Sequence, residues 1–361
     1  MNYDSPKGRS LRDFLISDTG TCGIMQYAIW NNKGGVGKSF LTFIIGSEFA
    51  LKHSKTRVVI MDLCPQANVS EMVLGGNGVG AKRLASLLEA TPRRTIGGYF
   101  DERISSPQKS TGKEASYLLS NKEIRNGNLP VNLYLVAGDP SLEIQAQAIN
   151  QISAQTLPTD SWRNVHSWLT DLIDGIKAEI GDDTVFFIDC NPSFAAYTEL
   201  AVLAAERLIV PCTADGSSAR AIDNIGRLVY GKNVPTIYQT VNFSERAQKN
   251  GFKLPPIHIV FLNRSTQWDK KASKAFRAML EEIKRRTEKL EKQGVQFSSD
   301  PGQRFIDVPD AHTVSVVCSH EGISLSNLKM GPHRIDEETV QVNPDPLDRY
   351  KLSINKVIDL L

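Results

Sequence analysis

The chain has 361 residues, 41% hydrophobic and 23% charged, enough apolar content to enclose one large core or two small ones. Lys plus Arg number 42 against 40 Asp plus Glu, so the net charge of +2 excludes a global pull towards nucleic acid or anionic lipid, and any such contact must use a local patch. Met1 to Ser17 lacks a signal-type apolar region, no run approaches membrane-spanning length, and five scattered cysteines (Cys22, Cys64, Cys190, Cys212, Cys318) form no C-x-x-C pair; the expectation is a cytoplasmic protein with reduced thiols.

Short apolar runs alternate with longer helical patterns along the chain. Candidate strands are Tyr27 to Trp30, Arg57 to Met61, Asn132 to Val136, Val185 to Ile188, Arg207 to Val210 and Ile257 to Leu262. Several are nearly continuous in Val, Ile, Phe or Leu, as strands covered on both faces require. The fold class that follows is α/β, a doubly wound and mostly parallel sheet with helices on both faces. Residues 91–128 break the rhythm with Pro92, Gly97, Gly98, Pro107, Gly112 and Gly127, and read as a loop-rich insertion or small subdomain.

Directly after the first strand comes Asn31-Asn32-Lys33-Gly34-Gly35-Val36-Gly37-Lys38-Ser39, leading into the helical run Phe40 to Leu51. Strand, glycine loop and helix stand in the order a phosphate site needs. Glycines let backbone N–H groups turn inward, the helix N-terminus favours an anion, Lys38 can reach the β/γ-phosphates, and the Ser39 hydroxyl can ligate Mg²⁺. Gly34, Gly35, Val36, Gly37 and Phe40 complete the expected nucleotide-binding set. A generic phosphate loop has glycine six residues before the lysine, where this chain has Asn32. The second strand runs into Asp62-Leu63-Cys64-Pro65-Gln66-Ala67-Asn68-Val69-Ser70, so that a carboxylate ends a strand beside the loop. A third apolar run, Val185 to Ile188, ends in Asp189-Cys190-Asn191-Pro192-Ser193 and offers a further carboxylate for Mg²⁺. An aspartate at a strand end is also a common turn cap.

Together these residues resemble the ParA/MinD family of P-loop ATPases. Lys33-Gly34-Gly35-Val36-Gly37-Lys38-Ser39 looks like its deviant Walker A motif, with Lys33 as the signature lysine, and the Asn31-Asn32 lead-in is more similar to the ParA branch. The resemblance spans about Ile24 to Leu328 and implies a P-loop NTPase fold, ATP and Mg²⁺ as cofactors, and a nucleotide-sandwich homodimer in which Lys33 reaches the partner's phosphates. By the same resemblance Lys33, Lys38 and Asp62 are the catalytic group, and Ser39, Asp62 and Asp189 hold the metal. Cys64, Pro65, Gln66 and Asn68 form switch I, Pro192 and Ser193 switch II, and Asn263 and Pro309 help hold the base. The family's second switch I aspartate is Cys64 here. A thiol carries no dependable negative charge at neutral pH, so slow hydrolysis is expected. Cys64 otherwise reads as a small packed residue, a redox sensor being disfavoured for want of a partner thiol.

Between Asp269 and Lys292, basic residues including Lys270, Lys271, Lys274, Arg277, Arg285 and Arg286 outnumber acidic ones, while Ala272, Phe276, Met279, Leu280 and Ile283 recur at helical spacing. The exposed face is either a solvated surface laced by ion pairs such as Glu281 with Arg285, or a patch for nonspecific DNA, which the resemblance implies for the ATP-bound dimer. Tyr350, Ile354, Val357, Ile358 and Leu361 form a terminal apolar stripe expected to dock on the protein's own core, with no membrane partner. The organisation expected is an N-terminal arm (1–23), one ATPase domain (24–330) and a C-terminal extension (331–361). A ParB-like or other small adaptor and a nucleoid-associated location are implied by the resemblance. Two other classes stay open: an ATP-dependent binding switch with negligible turnover, and a P-loop reductase or metal carrier.

Overall fold

The computed structural model describes residues 25–265, 267–268, 271–272 and 274–361, with only the backbone elements described for residues 264–276. The N-terminal arm and Cys22 therefore lie outside the described residues. In chain order the first half comprises β1 (Gln26–Ile29), α1 (Lys38–Lys52), β2 (Arg57–Leu63), α2 (Asn68–Val73), α3 (Val79–Glu89), α4 (Ile96–Ser105), α5 (Asn121–Ile124) and β3 (Leu133–Val136). There follow α6 (Leu142–Ser153), α7 (Ser161–His166), α8 (Trp168–Ile180), β4 (Thr184–Cys190), α9 (Ala196–Ala204), β5 (Arg207–Thr213), α10 (Gly216–Leu228) and α11 (Phe243–Lys249). The last part holds β6 (Ile257–Ser265), β7 (Gln267–Trp268), β8 (Lys271–Ala272), α12 (Lys274–Lys292), β9 (Phe305–Pro309), α13 (His312–Glu321), β10 (Gly331–Ile335), β11 (Glu338–Val342) and α14 (Pro344–Ile358).

Seven strands form one parallel sheet in the order β3-β2-β4-β1-β5-β6-β9. The six strands expected from the sequence are all present; β9 is an additional edge strand. Side-chain alternation feeds two hydrophobic layers. Ala28, Val59, Met61, Phe186 and Ile188 point into one, packed with residues of α4 and α6 to α10. Tyr27, Ile29, Val58, Ile60 and Phe187 point into the other, with α1, α2, α13 and α14. Helix α1 lies close against the sheet because Gly46 carries no Cβ; one would stand 2.8 Å from the Ile60 side chain.

Residues 91–128 are better integrated than their composition suggests. Ile96, Tyr99, Phe100 and Tyr117 are buried in the same layer as Val59 and Trp168. Two of the glycines that read as loop, Gly97 and Gly98, sit inside α4: a Cβ on Gly97 would meet the Asp139 carboxylate at 2.3 Å, and one on Gly98 the Arg93 carbonyl at 2.0 Å. They are close-packing glycines, not turn glycines. At the other end of the chain, α14 docks as expected, with Tyr350, Ile354, Val357 and Ile358 buried. The Tyr27 hydroxyl donates to the Leu361 carbonyl at 2.6 Å, and Lys52 pairs with Asp359.

Candidate functional site

The carboxyl ends of β1, β2, β4 and β6 converge on one rim of the sheet, where a doubly wound fold places its ligands. Between β1 and α1 the chain turns through residues 31–37, with Gly35 and Gly37 at φ of 74° and 85°. At Gly37 a side chain is excluded twice over, by its left-handed backbone and by Asn263, whose Nδ2 would stand 2.4 Å from a Cβ. The buried Asn31 amide anchors the start of the loop, donating to the Pro211 carbonyl at 2.7 Å and accepting from the Lys33 N–H at 3.0 Å. Asn263, at the end of β6, donates to the Val36 carbonyl at 2.8 Å. The loop is thus held from two neighbouring strands.

Lys38 is folded back onto this loop, donating to the carbonyls of Asn31 (3.1 Å) and Lys33 (2.9 Å). Burial pulls its pKa below the ordinary lysine range, and the Asp189 charge opposes that pull. Lys33 points elsewhere. Its ammonium pairs with Asp215 and donates to Thr213 Oγ1 at 2.7 Å and Ser218 Oγ at 3.3 Å. Asp215 caps α10 by accepting from the Ser217 and Ser218 N–H groups, and with Lys33 these bonds hold its carboxyl well below the usual range, despite some burial.

Asp62 and Asp189 are register partners on β2 and β4, and both are fully buried. The Asp62 carboxylate accepts from the Cys64 N–H (3.0 Å), the Ser70 N–H (3.0 Å) and the Ser70 hydroxyl (2.7 Å), so it anchors the start of α2. Asp189 accepts from Thr42 at 3.3 Å and from Ser39, and its Oδ2 is buried with no partner. Burial first, and then the Asp62 charge, push Asp189 upward; burial likewise raises Asp62. Two buried carboxylates, an orphaned oxygen and an adjoining serine hydroxyl are a donor set suited to a hard divalent cation.

In front of these carboxylates lies a cavity of about 410 Å³, walled by Gly37, Lys38, Ser39, Phe40 and residues of both switch segments. Gln66, Asn68 and Pro192 line it, as do Cys64 and Cys190. Pro65 is buried behind Cys64, and the Ser193 carbonyl accepts from the Thr198 hydroxyl at 2.8 Å. A partner thiol invisible in the sequence is therefore present beside Cys64. Burial raises both thiols, Cys64 up to about 12, which favours the protonated form of each. Glu71, Met72, Asn77 and Ser319 also line this cavity and were not expected from the sequence. No local motif marks them. A larger cavity, about 970 Å³, opens elsewhere, among Gln26, Glu206, Tyr230 and Pro256, and has neither glycine loop nor paired carboxylates.

The expected base residues separate in their roles. Asn263 lines a second cavity adjoining the first; Pro309 ends β9, while its neighbours Asp310 and Ala311 face the cavity. Of the basic segment, Lys270 lies outside the described residues, and Lys271 and Lys274 are described only as positions in β8 and α12. Arg277 is exposed. Arg285 pairs with Glu282 at 2.6 Å, and Arg286 with Glu282 at 2.6 Å and with Asp223. The expected pairing of Glu281 with Arg285 is corrected: Glu281 takes Lys284 at 3.0 Å, one residue closer in sequence, and leaves Arg285 to Glu282. Among the described residues no helix is long and apolar enough to cross a membrane.

The family described as the AAA domain matches residues 25–243 of this chain. No curated protein matches its sequence. Among solved structures, apo McdA is similar with a TM-score of 0.58 at 16% identity, covering 92% of this chain and 99% of the other. An ATP complex of a Cyanothece McdA variant gives 0.59 at 15% identity over 92% and 96%. A plasmid partition protein of Borrelia burgdorferi B31 bound to AMPPNP gives 0.55 at 15% identity over 94% and 100%. At such identities the likeness speaks for the fold.

Proposed function

Since the chain belongs to the ParA/MinD-type AAA family of P-loop ATPases, we propose that it is an ATP-operated dimerisation switch that partitions or positions DNA or another cargo, with slow hydrolysis. The observation that carries this reading is the rim of the sheet, where a phosphate loop with two lysines faces a buried aspartate that has an unpartnered oxygen. In this reading the loop N–H groups and Lys38 bind the phosphates of ATP, Lys38 exchanging two loop carbonyls for phosphate oxygens. Ser39 and Asp189 would hold Mg²⁺ directly or through water, with Asp62 behind them; the ion supplies charge neutralisation along the phosphates.

Lys33 is the residue through which nucleotide drives association. In the single chain its ammonium is satisfied by Asp215, Thr213 and Ser218. To reach a partner's phosphates it must leave that cluster, so the closed dimer forms when phosphate contacts outweigh the local ones. Hydrolysis is slow because Cys64, a protonated thiol in the switch I wall, neither carries charge nor orients water as a carboxylate would. The DNA reading is supported by the exposed basic positions of α12, notably Arg277, Lys289 and Lys292, though Arg286 is committed to internal ion pairs. Doubling this surface in a dimer gives a weak, salt-dependent and sequence-independent attachment. The setting is the cytoplasm over the nucleoid, with no membrane partner, and a ParB-like or other small adaptor resets the switch.

The test is ATP turnover by wild type and Cys64→Asp, each checked for folding by its melting transition. The reading expects wild type to bind ATP and turn over slowly, and Cys64→Asp to turn over faster. A folded Cys64→Asp no faster than wild type sinks the explanation of slow hydrolysis and favours a switch with negligible turnover. Failure of wild type to bind ATP sinks the whole reading.

A further inference from the structure

Past the phosphate loop the cleft opens into a second cavity of about 330 Å³. Gly37, Phe40, Asn77 and Ser319 stand in the walls of both, so the two spaces adjoin. A phosphate chain seated at Gly37 and Lys38 would leave the rest of its nucleotide in this second space. Phe40 is the hinge between them. It follows Ser39 directly in the first turn of α1, and its ring is only partly buried.

Beside the Phe40 ring stands Tyr350 of α14, centroids 6.2 Å apart and planes inclined by 33°. Tyr350 is itself fully buried. Tyr350 lines the second cavity together with Phe40, so two tilted aromatic rings meet in its wall. The polar groups around this space are partly engaged: the Asn263 amide donates to Val36, and Asp310 accepts from the His312 N–H at 3.1 Å. Ala311, Val316 and Ile335 add apolar wall. A flat aromatic ring at the mouth of an otherwise mixed cavity offers a heterocyclic base a stacking partner.

We propose that Phe40, beside Tyr350 in the cavity wall, is the stacking platform for the base of the bound nucleotide and sets a preference for purine over pyrimidine triphosphates. The proposal rests on the nucleotide-binding reading above. A bicyclic base covers more of the ring than a monocyclic one, so discrimination follows from overlap. Stacking does not tell adenine from guanine; that choice falls to polar atoms such as those of Asn263 and Asp310.

The experiment measures binding of ATP, CTP and inorganic tripolyphosphate, each with Mg²⁺, to the full chain by calorimetry, for wild type, Phe40→Ala, Phe40→Leu and Phe40→Trp. Phe40→Leu retains apolar bulk against Tyr350 and serves as the folding control. The expected result is that Phe40→Ala and Phe40→Leu lose about 5- to 150-fold in ATP affinity. Their tripolyphosphate affinity stays at the wild-type value, and the preference for ATP over CTP collapses. In Phe40→Trp the indole emission is quenched by ATP and unchanged by tripolyphosphate. The proposal is overturned if the folded variants bind ATP as wild type does. It is equally overturned if they lose ATP and tripolyphosphate alike, because the ring then only supports the loop. If wild type binds tripolyphosphate and ATP equally, the base makes no contact and the platform is wrong while the phosphate site stands. If wild type binds neither, the nucleotide reading itself falls.

Discussion

The phosphate end and the base end of the cleft are built in opposite ways. The proposed phosphate end is one contiguous stretch, residues 31–39, shaped by Gly35 and Gly37. The base end is assembled from side chains on α1, α13, α14, the end of β6 and the turns after α2 and β9. The proposed phosphate site is local, so it is written in a motif; the proposed base site is tertiary, so it exists only after the sheet has brought distant segments together. Different substitutions should therefore injure the two ends separately.

The strongest separation comes from Lys38→Ala. Removing a charge-assisted contact should weaken ATP and tripolyphosphate together, by roughly 10- to 150-fold, in the calorimetric comparison that Phe40→Ala splits. Equal loss for both ligands keeps the two ends distinct, whereas a loss for ATP alone would merge them. Next in size is Asp189→Asn. With one of two adjacent buried carboxylates neutralised, the nucleotide-free chain should melt roughly 1–2 °C higher, equivalent to about 1 kcal/mol. The stabilisation that Mg²⁺ and ATP add to wild type should shrink or vanish. A variant that melts lower without ligand would show that Asp189 is not held against its neighbour's charge.

A smaller effect is expected from Asp215→Ala, which releases Lys33 from its strongest local partner. The concentration of ATP needed for half-maximal dimer in light scattering should fall a few-fold; an unchanged or increased value would mean that the Lys33 cluster does not restrain closure. The smallest concerns the far end of the sheet, where no ligand binds in this account. His258 accepts from Ser298 and donates to the Leu360 carbonyl at 2.8 Å as a neutral ring, and burial, aided by the Arg207 charge, pulls its pKa to about 4. Its contribution is complete above the unfolded value near 6.5 and is lost as pH falls towards 4. Between pH 7 and 5.5 that is about 1 kcal/mol. Denaturant titrations of wild type and His258→Gln should show the variant losing less over this window.

Much of the parallel sheet was legible because its central strands are continuous apolar runs: Val185 to Ile188 needs no partner to be read as a buried strand. The loop, Asp62 and Asp189 were legible for the same local reason. Three things were not. Gly97 and Gly98 looked like loop punctuation, and only the Asp139 carboxylate and the Arg93 carbonyl show that they let α4 pack closely. Cys190 gave no sign of standing beside Cys64, since strand order decides that β4 lies next to β2. The restraint on Lys33 by Asp215 joins residues 182 positions apart, and no spacing rule reaches that far.

The central claim is that ATP drives two chains together. The most direct measurement is the light-scattering mass of the full chain with Mg²⁺ and ATP, alongside Lys38→Ala. The account predicts a shift from 39.9 kDa to twice that mass in wild type and no shift in the variant. A wild type that binds ATP in calorimetry and stays at 39.9 kDa would contradict it.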